Sequence, residues 1–300
     1  MNRDRQKPEQ NPSRPPSEEW QTHPMTPADP PSSPLRSLTH VAESSRTKWI
    51  GKRLEIRDAV TSTMHIAGAW ARGGEESDAE PMPHGSIVVA REQTGGRGRH
   101  GRVWSSPRDL GLYLSVLLRV PPSSPPIAPL APAAGLAVAE ALSPIVAAPV
   151  GLKWPNDVRI GRKKVAGLLA HADSRRGRID SVVLGVGINI FQDADDFPPE
   201  LRGVATSLIL EGGSVGGPDV VLAALLPRLE NRIDTVFAGD FQSLVPGWNA
   251  ACDHLGRPVE ILHGGDSIKG RAIGIDAQGR LRLSDRDGKE RAVGAGELIE

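Results

Sequence analysis

The chain has 300 residues, room for one large or two modest domains with a sizeable core. Its 36 Lys and Arg balance 36 Asp and Glu, so no global basic field of the kind that gathers nucleic acid or anionic membrane is present. A single cysteine, Cys252, excludes an internal disulfide and suits a reducing compartment. The start carries charge without an apolar h-region, and the Ala-rich run near residue 130 is cut by Pro129, Pro132 and Glu140. Neither a signal peptide nor a membrane span is expected, and the expected location is the cytoplasm.

Residues 1–48 read as a disordered tail, because prolines fall among Ser, Glu and Gln with too few apolar residues to repay ordering entropy. Order begins near Trp49. Leu54-Glu55-Ile56 reads as a short strand, and TSTMHIAGAWAR opens a helix whose first turn Ser62 or Thr63 can cap, ending at Gly73-Gly74. An acidic loop before Gly85 follows, with no chemistry to assign. The strand SIVVAREQ then delivers Gln93 to the segment Gly95–Trp104, GGRGRHGRVW, with GLYLSVLLRV as the next strand. The Ala/Leu-rich run from about Ala128 to Leu142 reads as a helix packed on a sheet. Val150–Trp154 and Lys164–Ala170 read as a hairpin, with Trp-Pro-Asn-Asp in turn chemistry and Lys153, Asn156, Asp157 and Lys164 at its tip. Ser181–Ile190 reads as a buried strand interrupted by Gly185 and Gly187, glycines that often mark close approach of a ligand or backbone. Residues 219–237 have helical periodicity, with Pro227 predicting a break or kink. After about residue 254 short strands alternate with the turn sequences HGGD, DAQG and DRDG, a small all-β domain.

Three stretches carry chemistry. Gly95–Trp104 holds four glycines and three arginines. Glycine lets a backbone approach a ligand closely, and Arg97, Arg99 and Arg102 can grip phosphate or carboxylate bidentately. Each such charge-assisted bond is worth roughly 1.5–3 kcal/mol when well placed. The segment lacks the Gly-Lys-Ser/Thr ending of a Walker A loop and does not fit a dinucleotide turn. Alone it reads equally as a solvated or RNA-touching loop. The Trp-Pro-Asn-Asp turn alone reads as an ordinary tight turn, the hydroxyls of Ser62 and Thr63 as caps, and Asn189 equally as a structural hydrogen bonder or a ligand contact.

Together, GGRGRHGRVWSSP, LKWPNDV with KKVAGLL, and GVGIN occur in the order and spacing of one family, and the chain from Trp49 to Glu300 resembles the biotin protein ligases. The resemblance implies an α+β fold: a mixed-sheet catalytic domain over residues 49–253 and a small Src-homology-3-like β-barrel over residues 254–300. It implies ATP-dependent formation of biotinyl-5′-adenylate, followed by transfer to one lysine of a biotin carboxyl-carrier domain of a biotin-dependent carboxylase. Biotin and ATP are the implied substrates, with Mg²⁺.

By the same resemblance Ser62, Thr63, Gln93, Arg97, Gly98, Arg99 and Lys164 contact biotin. Arg99, Arg102, Trp104, Lys153, Asn156 and Asn189 serve ATP. Lys164, Arg99, Arg102 and Asp157 are the implied catalytic set. Asn156 and Asp157 lie near magnesium, with no metal site made by the protein alone. Met64 stands where the family usually has asparagine. The proline-rich start argues for the monofunctional branch without a DNA-binding domain, so DNA binding is not expected, and a homodimer stays open. The Arg/Gly segment is expected to be mobile when empty and to close over ligand. The alternatives are a lipoate or octanoate ligase or transferase of the same superfamily, and a nucleic-acid-binding regulator using the Arg/Gly loop.

Overall fold

The computed structural model describes residues 34–73 and 82–299. Helix α1 (Pro34–Ser44) and strand β1 (Leu54–Arg57) are followed by helix α2 (Thr63–Arg72), strands β2 (Ile87–Ala90) and β3 (Gly111–Arg119), and helix α3 (Leu130–Leu142). Four strands come next: β4 (Val150–Lys153), β5 (Asp157–Ile160), β6 (Lys163–Arg175) and β7 (Arg178–Asn189). Helices α4 (Pro218–Phe237) and α5 (Leu244–Ala251) precede β8 (Pro258–His263), β9 (Asp266–Ile275), β10 (Leu281–Ser284), β11 (Glu290–Val293) and β12 (Glu297–Ile299).

Strands β1 to β7 form one sheet in the order β1-β2-β3-β7-β6-β5-β4. The β1–β2 pair is parallel and all other neighbours are antiparallel. Side chains alternate between the faces of a strand, and here the alternation separates two environments. Ile87 and Val89 of β2, Leu112 to Leu118 at every second residue of β3, and Val182 to Ile188 likewise in β7 point into the main core with α3 and α4. Val88, Leu117 and Val183 point the other way, against Ala67 and Ala71 of α2. Each fully buried Leu or Val contributes roughly 1.5–3 kcal/mol, so the α3/α4 face carries the larger share of stability. Helix α2 covers only part of the opposite face, and the functional cavity lies on the remainder.

Local chemistry sets the boundaries of α2. Ser62 accepts from the Met64 amide at its start, and Gly73 ends it in the left-handed region at φ 81°. Arg119 donates to the carbonyls of Trp70 and Ala71, satisfying the C-terminal turn and pinning it to β3.

Three expectations need correction. The disordered tail does not extend to residue 48: Pro34–Ser44 is helical, with Leu38 buried and Val41 packed beside the core, an i, i+3 pair on one helix face. Residues 1–33, the rest of the expected tail, lie outside the described residues, as does most of the acidic loop (74–81). The hairpin after Val150 is three strands: Trp-Pro-Asn-Asp turns β4 into β5, and Gly161-Arg162 turns β5 into β6. Pro227 does not interrupt α4, which continues to Phe237 because the proline sits on its exposed side, where the carbonyl it leaves unpaired meets water. The small C-terminal unit is a five-stranded antiparallel sheet ordered β11-β10-β9-β8-β12. Its two edge strands are joined by residues 294–296 alone, so the sheet curls in the manner of a barrel without a ladder closing it.

Candidate active site

The open part of the sheet is floored by glycine. In the β3-β7-β6 register, Ser115 faces Gly185 and Leu169, and the next row holds Tyr113, Gly187 and Gly167. A Cβ on Gly187 would lie 2.5 Å from Trp104 Nε1, and one on Gly167 would lie 2.8 Å from Trp104 Cζ3. A Cβ on Gly185 would lie 3.0 Å from Met64 Sδ. The glycines therefore let Trp104 and Met64 lie directly on the sheet. Above this floor is a cavity of about 530 Å³.

Its uncharged end is built where α2 begins. Gln93 Oε1 accepts from the Thr63 amide at 2.9 Å and from the Thr63 hydroxyl at 3.1 Å, while that hydroxyl lies 2.8 Å from Ser115 Oγ. Because the backbone amide can only donate, the orientation of the Gln93 amide is fixed, and its Nε2 donates to Ser106 Oγ at 2.8 Å. Ser62, Thr63, Ser106 and Ser115 are all buried. Ser62 therefore both caps α2 and lines the cavity.

The Arg/Gly segment folds back on itself as a short hairpin. Arg97 bridges Val103, Gly98 N–H donates to Arg102 O at 2.8 Å, and Trp104 N–H donates to Gly96 O at 2.9 Å. Gly96 is obligatory, since a Cβ there would lie 2.3 Å from Trp104 O. Each arginine has a different neighbour. Arg97 lies against His65, whose imidazole is held below its usual range by burial and then by the Arg97 charge, so it meets the guanidinium as an acceptor. Arg99 is half-buried, donating to Gly296 O at 3.1 Å and Asn156 Oδ1 at 3.4 Å. Arg102 grips Glu297 at 2.5 and 2.6 Å, and that bond holds the Glu297 carboxyl below the usual glutamate range.

The β4–β6 strands supply the rest. Lys164 Nζ pairs with Asp157 Oδ1 at 2.7 Å and lies 5.3 Å from the centroid of the Trp104 ring. Asn156 Nδ2 donates to Leu168 O at 2.6 Å, and buried Trp154 anchors the same turn to the C-terminal sheet through Gly279 O at 3.1 Å. Lys153 lines the cavity beside them. Asn189 also lines it, but its carboxamide is engaged internally, with Thr206 O at 2.9 Å and Gln192 Nε2 at 3.2 Å.

All the residues singled out in the sequence thus line one cavity: Ser62, Thr63, Gln93, Arg97, Gly98, Arg99, Arg102 and Trp104 from one side, and Lys153, Asn156, Asp157, Lys164 and Asn189 from the other. Sequence reasoning missed Ser106, Ser115 and Glu297. Ser115 had a signal, as the one polar residue in the apolar run of β3. Glu297 had none, since it meets Arg102 across 195 positions of sequence.

Thr63 reaches Ser115 on β3, whereas Lys164 and Asp157 stand on β6 and β5. At about 4.8 Å per strand the β3-to-β5 span is about 14 Å, room for an extended acid with a neutral polar head and an anionic end. Uncharged hydrogen-bonding groups at one end and cations at the other are the equipment for binding such an acid and stabilising charge on it.

Residues 70–189 match the Biotin/lipoate A/B protein ligase family, and residues 254–299 match the Biotin protein ligase C terminal domain. A biotin–[acetyl-CoA-carboxylase] ligase of Mycobacterium tuberculosis is 34% identical over 284 residues, covering 92% of this chain and 99% of the relative. The bifunctional ligase/repressor BirA of Bacillus spizizenii is 31% identical over 252 residues, covering 83% of this chain and 75% of the relative. Among solved structures, the biotin protein ligase of Aquifex aeolicus in complex with biotin and ATP has a TM-score of 0.67 at 30% identity, covering 83% of this chain and 98% of that chain. Likeness at this level over nearly the full length of two relatives, with both family regions in order, establishes that the chain belongs to the biotin protein ligase family.

Proposed function

We propose that this protein joins biotin to ATP as biotinyl-5′-AMP and then passes the biotinyl group to a lysine of the carrier domain of a biotin-dependent carboxylase. The observation that carries the reading is the polarity of the cavity, with the neutral Thr63–Gln93–Ser115 cluster at one end and Arg99, Arg102 and Lys164 gathered near the other.

In the first step a carboxylate oxygen attacks the α-phosphorus and the bond to pyrophosphate breaks. Two anions must approach, which requires fixed cations and a held geometry. Lys164 is the central group: its ammonium is tied to Asp157 and turns to the carboxylate and α-phosphate when these arrive. Arg99 and Arg102 exchange Gly296 O and Glu297 for phosphate oxygens. The Thr63–Gln93 pair orients the uncharged head of biotin. Trp104 closes the nucleotide side.

In the second step Asp157, freed from Lys164, binds the carrier lysine as its ammonium and takes one proton from it. The resulting free amine attacks the acyl carbon, the carbon–oxygen bond breaks, AMP leaves with the bonding electron pair, and the surplus proton on nitrogen passes to water. A magnesium ion, when bound, would supply charge neutralisation of the triphosphate. Among the described residues no cluster of three or more His, Cys, Asp or Glu side chains could hold it, and the oxygens of Asn156 and Asp157 are the hard donors near Lys164 and Arg99. No helix among the described residues is long and apolar enough to cross a membrane.

Intact-mass spectrometry of a biotin-carrier domain, incubated with this protein, Mg²⁺ and ATP and offered biotin, lipoate or octanoate separately, tests the reading. A mass gain with biotin alone, absent without ATP, is the expected result. A gain with lipoate or octanoate would move the protein to the sister branch, and no gain with any acid would overturn the ligase reading.

A further inference from the structure

Beside the cavity floor runs a line of buried polar side chains whose polarity is fixed from both ends. Thr206 offers a backbone carbonyl, which can only accept, so the atom of Asn189 facing it at 2.9 Å is Nδ2. Asn189 Oδ1 then meets the Nε2 of Gln192 at 3.2 Å. At the other end Tyr113 donates its hydroxyl to Pro107 O at 3.0 Å, and so accepts from the same Gln192 nitrogen at 3.3 Å. Burial pushes the Tyr113 pKa up, keeping that hydroxyl protonated. Both hydrogens of the Gln192 amide are thereby committed. Gln192 is 1% exposed, and its Oε1 has no partner among the described residues. A buried glutamine with a paired nitrogen and an orphaned oxygen is held in place by what its nitrogen joins.

What it joins is informative. Pro107 closes the segment that opens with the glycines and arginines. Thr206 belongs to a strap that brackets Lys164: the Lys164 amide donates to Val204 O and the Thr206 amide donates to Lys164 O, both at 2.9 Å. Ser207 Oγ donates to Gln192 O at 2.7 Å, tying the same residue to the strap a second time. Its side-chain nitrogen joins Tyr113, which reaches Pro107, to Asn189, which reaches Thr206.

We infer that Gln192 is a positioning residue, coupling the base of the Arg/Gly segment to the backbone strap of Lys164 so that the two cationic groups stay in register across the cavity. Its consequence for catalysis rests on the ligase reading above. The coupling itself does not.

The isosteric Gln192→Glu variant tests it, because a carboxylate faces Asn189 Oδ1 and the Tyr113 hydroxyl with acceptors where donors are required. Amide hydrogen exchange at Lys164 and Thr206 should rise about tenfold or more, with exchange in β8 to β10 unchanged. Single-turnover formation of biotinyl-5′-AMP should slow about tenfold, with the KM for biotin within about twofold. The rate should recover in part as pH is lowered and the carboxyl regains a proton to donate, a dependence the wild type lacks. Unchanged exchange in a folded variant, or a uniform rise across the whole chain, would overturn the inference. Tyr113→Phe removes the hydroxyl that accepts from Gln192 and donates to Pro107, and serves as the second variant: a rise of about threefold at Lys164 and Thr206 supports the coupling, and none opposes it. Wild-type protein that makes no adenylate would count against the ligase reading, and hydrogen exchange alone would then decide the coupling.

Discussion

The two ends of the cavity are held by opposite means. At the uncharged end Thr63 at the start of α2, Ser115 on β3, and Gln93 and Ser106, paired by an isolated bridge, are bonded to one another. That end is rigid before any ligand arrives. At the cationic end Arg99, Arg102 and Lys164 sit on long side chains, and their partners are oxygens of the protein itself: a backbone carbonyl, the Asn156 carboxamide and two carboxylates. In the proposed reaction these cations turn to substrate oxygens, so each interaction with substrate is an exchange and not a simple gain. The neutral end is therefore suited to selecting the acid, and the charged end to responding to it.

The sharpest way to break this contrast is at Lys164. Lys164→Ala should leave the fold intact, because the side chain is partly exposed and outside the core. It should slow single-turnover adenylate formation by about 10²–10³-fold, the scale for losing a preorganised charge donor. An unchanged rate would mean that the contrast assigns the chemistry to the wrong cation. A smaller effect, about thirtyfold on the same rate, is expected of Gly187→Ala, whose new methyl would meet Trp104 Nε1 at 2.5 Å and lift the ring from the floor. Tryptophan fluorescence should shift in the folded variant, and an unaltered spectrum would show that the ring does not rest there.

How much of this was legible in the sequence differs between the same two ends. Arg97, Arg99, Arg102, Lys153 and Lys164 were readable through the resemblance: alone the Arg/Gly segment reads equally as a solvated loop and the Trp-Pro-Asn-Asp turn as an ordinary tight turn, and it is their occurrence together in one order and spacing that points to one site. The neutral end was half legible: Thr63 and Gln93 were found through the resemblance, but Ser115 looked like a lone polar residue in a strand, and only the β3–β7 register puts it beside Gly185. The fold followed local signals well where they were strong, as at Ser62 and Gly73. It failed where signals conflicted with context. Prolines nearby hid the Leu38–Val41 spacing of α1, and the four residues of β5 were too few to stand apart from two adjoining turns. Gln192 gave no sign at all, because a glutamine next to Asp193 and Asp195 reads as surface until the strap after Leu201 is seen to cover it. Partners far apart in the chain, such as Arg102 and Glu297, exist only in the folded state.

At the rigid end, Thr63→Val keeps the volume and deletes the hydroxyl shared by Gln93 and Ser115. The KM for biotin should rise about tenfold while kcat changes little, since the lost bond orients the head of the acid and not the reacting carboxylate. Equal falls in kcat and in kcat/KM would move this cluster from selection to chemistry and erase the distinction between the ends.

The smallest expected effect tests whether protein carboxylates compete with substrate at the responsive end. Glu297→Gln removes the charge that holds Arg102, and because this pair is partly exposed its worth is below about 1 kcal/mol. The KM for ATP should therefore fall by about threefold, provided that Arg102 is released toward phosphate. A rise would instead make Glu297 a support that holds Arg102 in its working position. The pH dependence separates this exchange from a general loosening. Arg102 keeps the folded-state pKa of Glu297 below its ordinary value. The stability contributed by the pair is therefore complete above the unfolded glutamate pKa and fades as pH falls through the depressed folded value. The difference in unfolding midpoint between wild type and Glu297→Gln should stay flat from about pH 8 to about pH 5 and shrink only below about pH 4. A difference that varied across neutral pH would identify some other titrating group as the one that answers to Arg102.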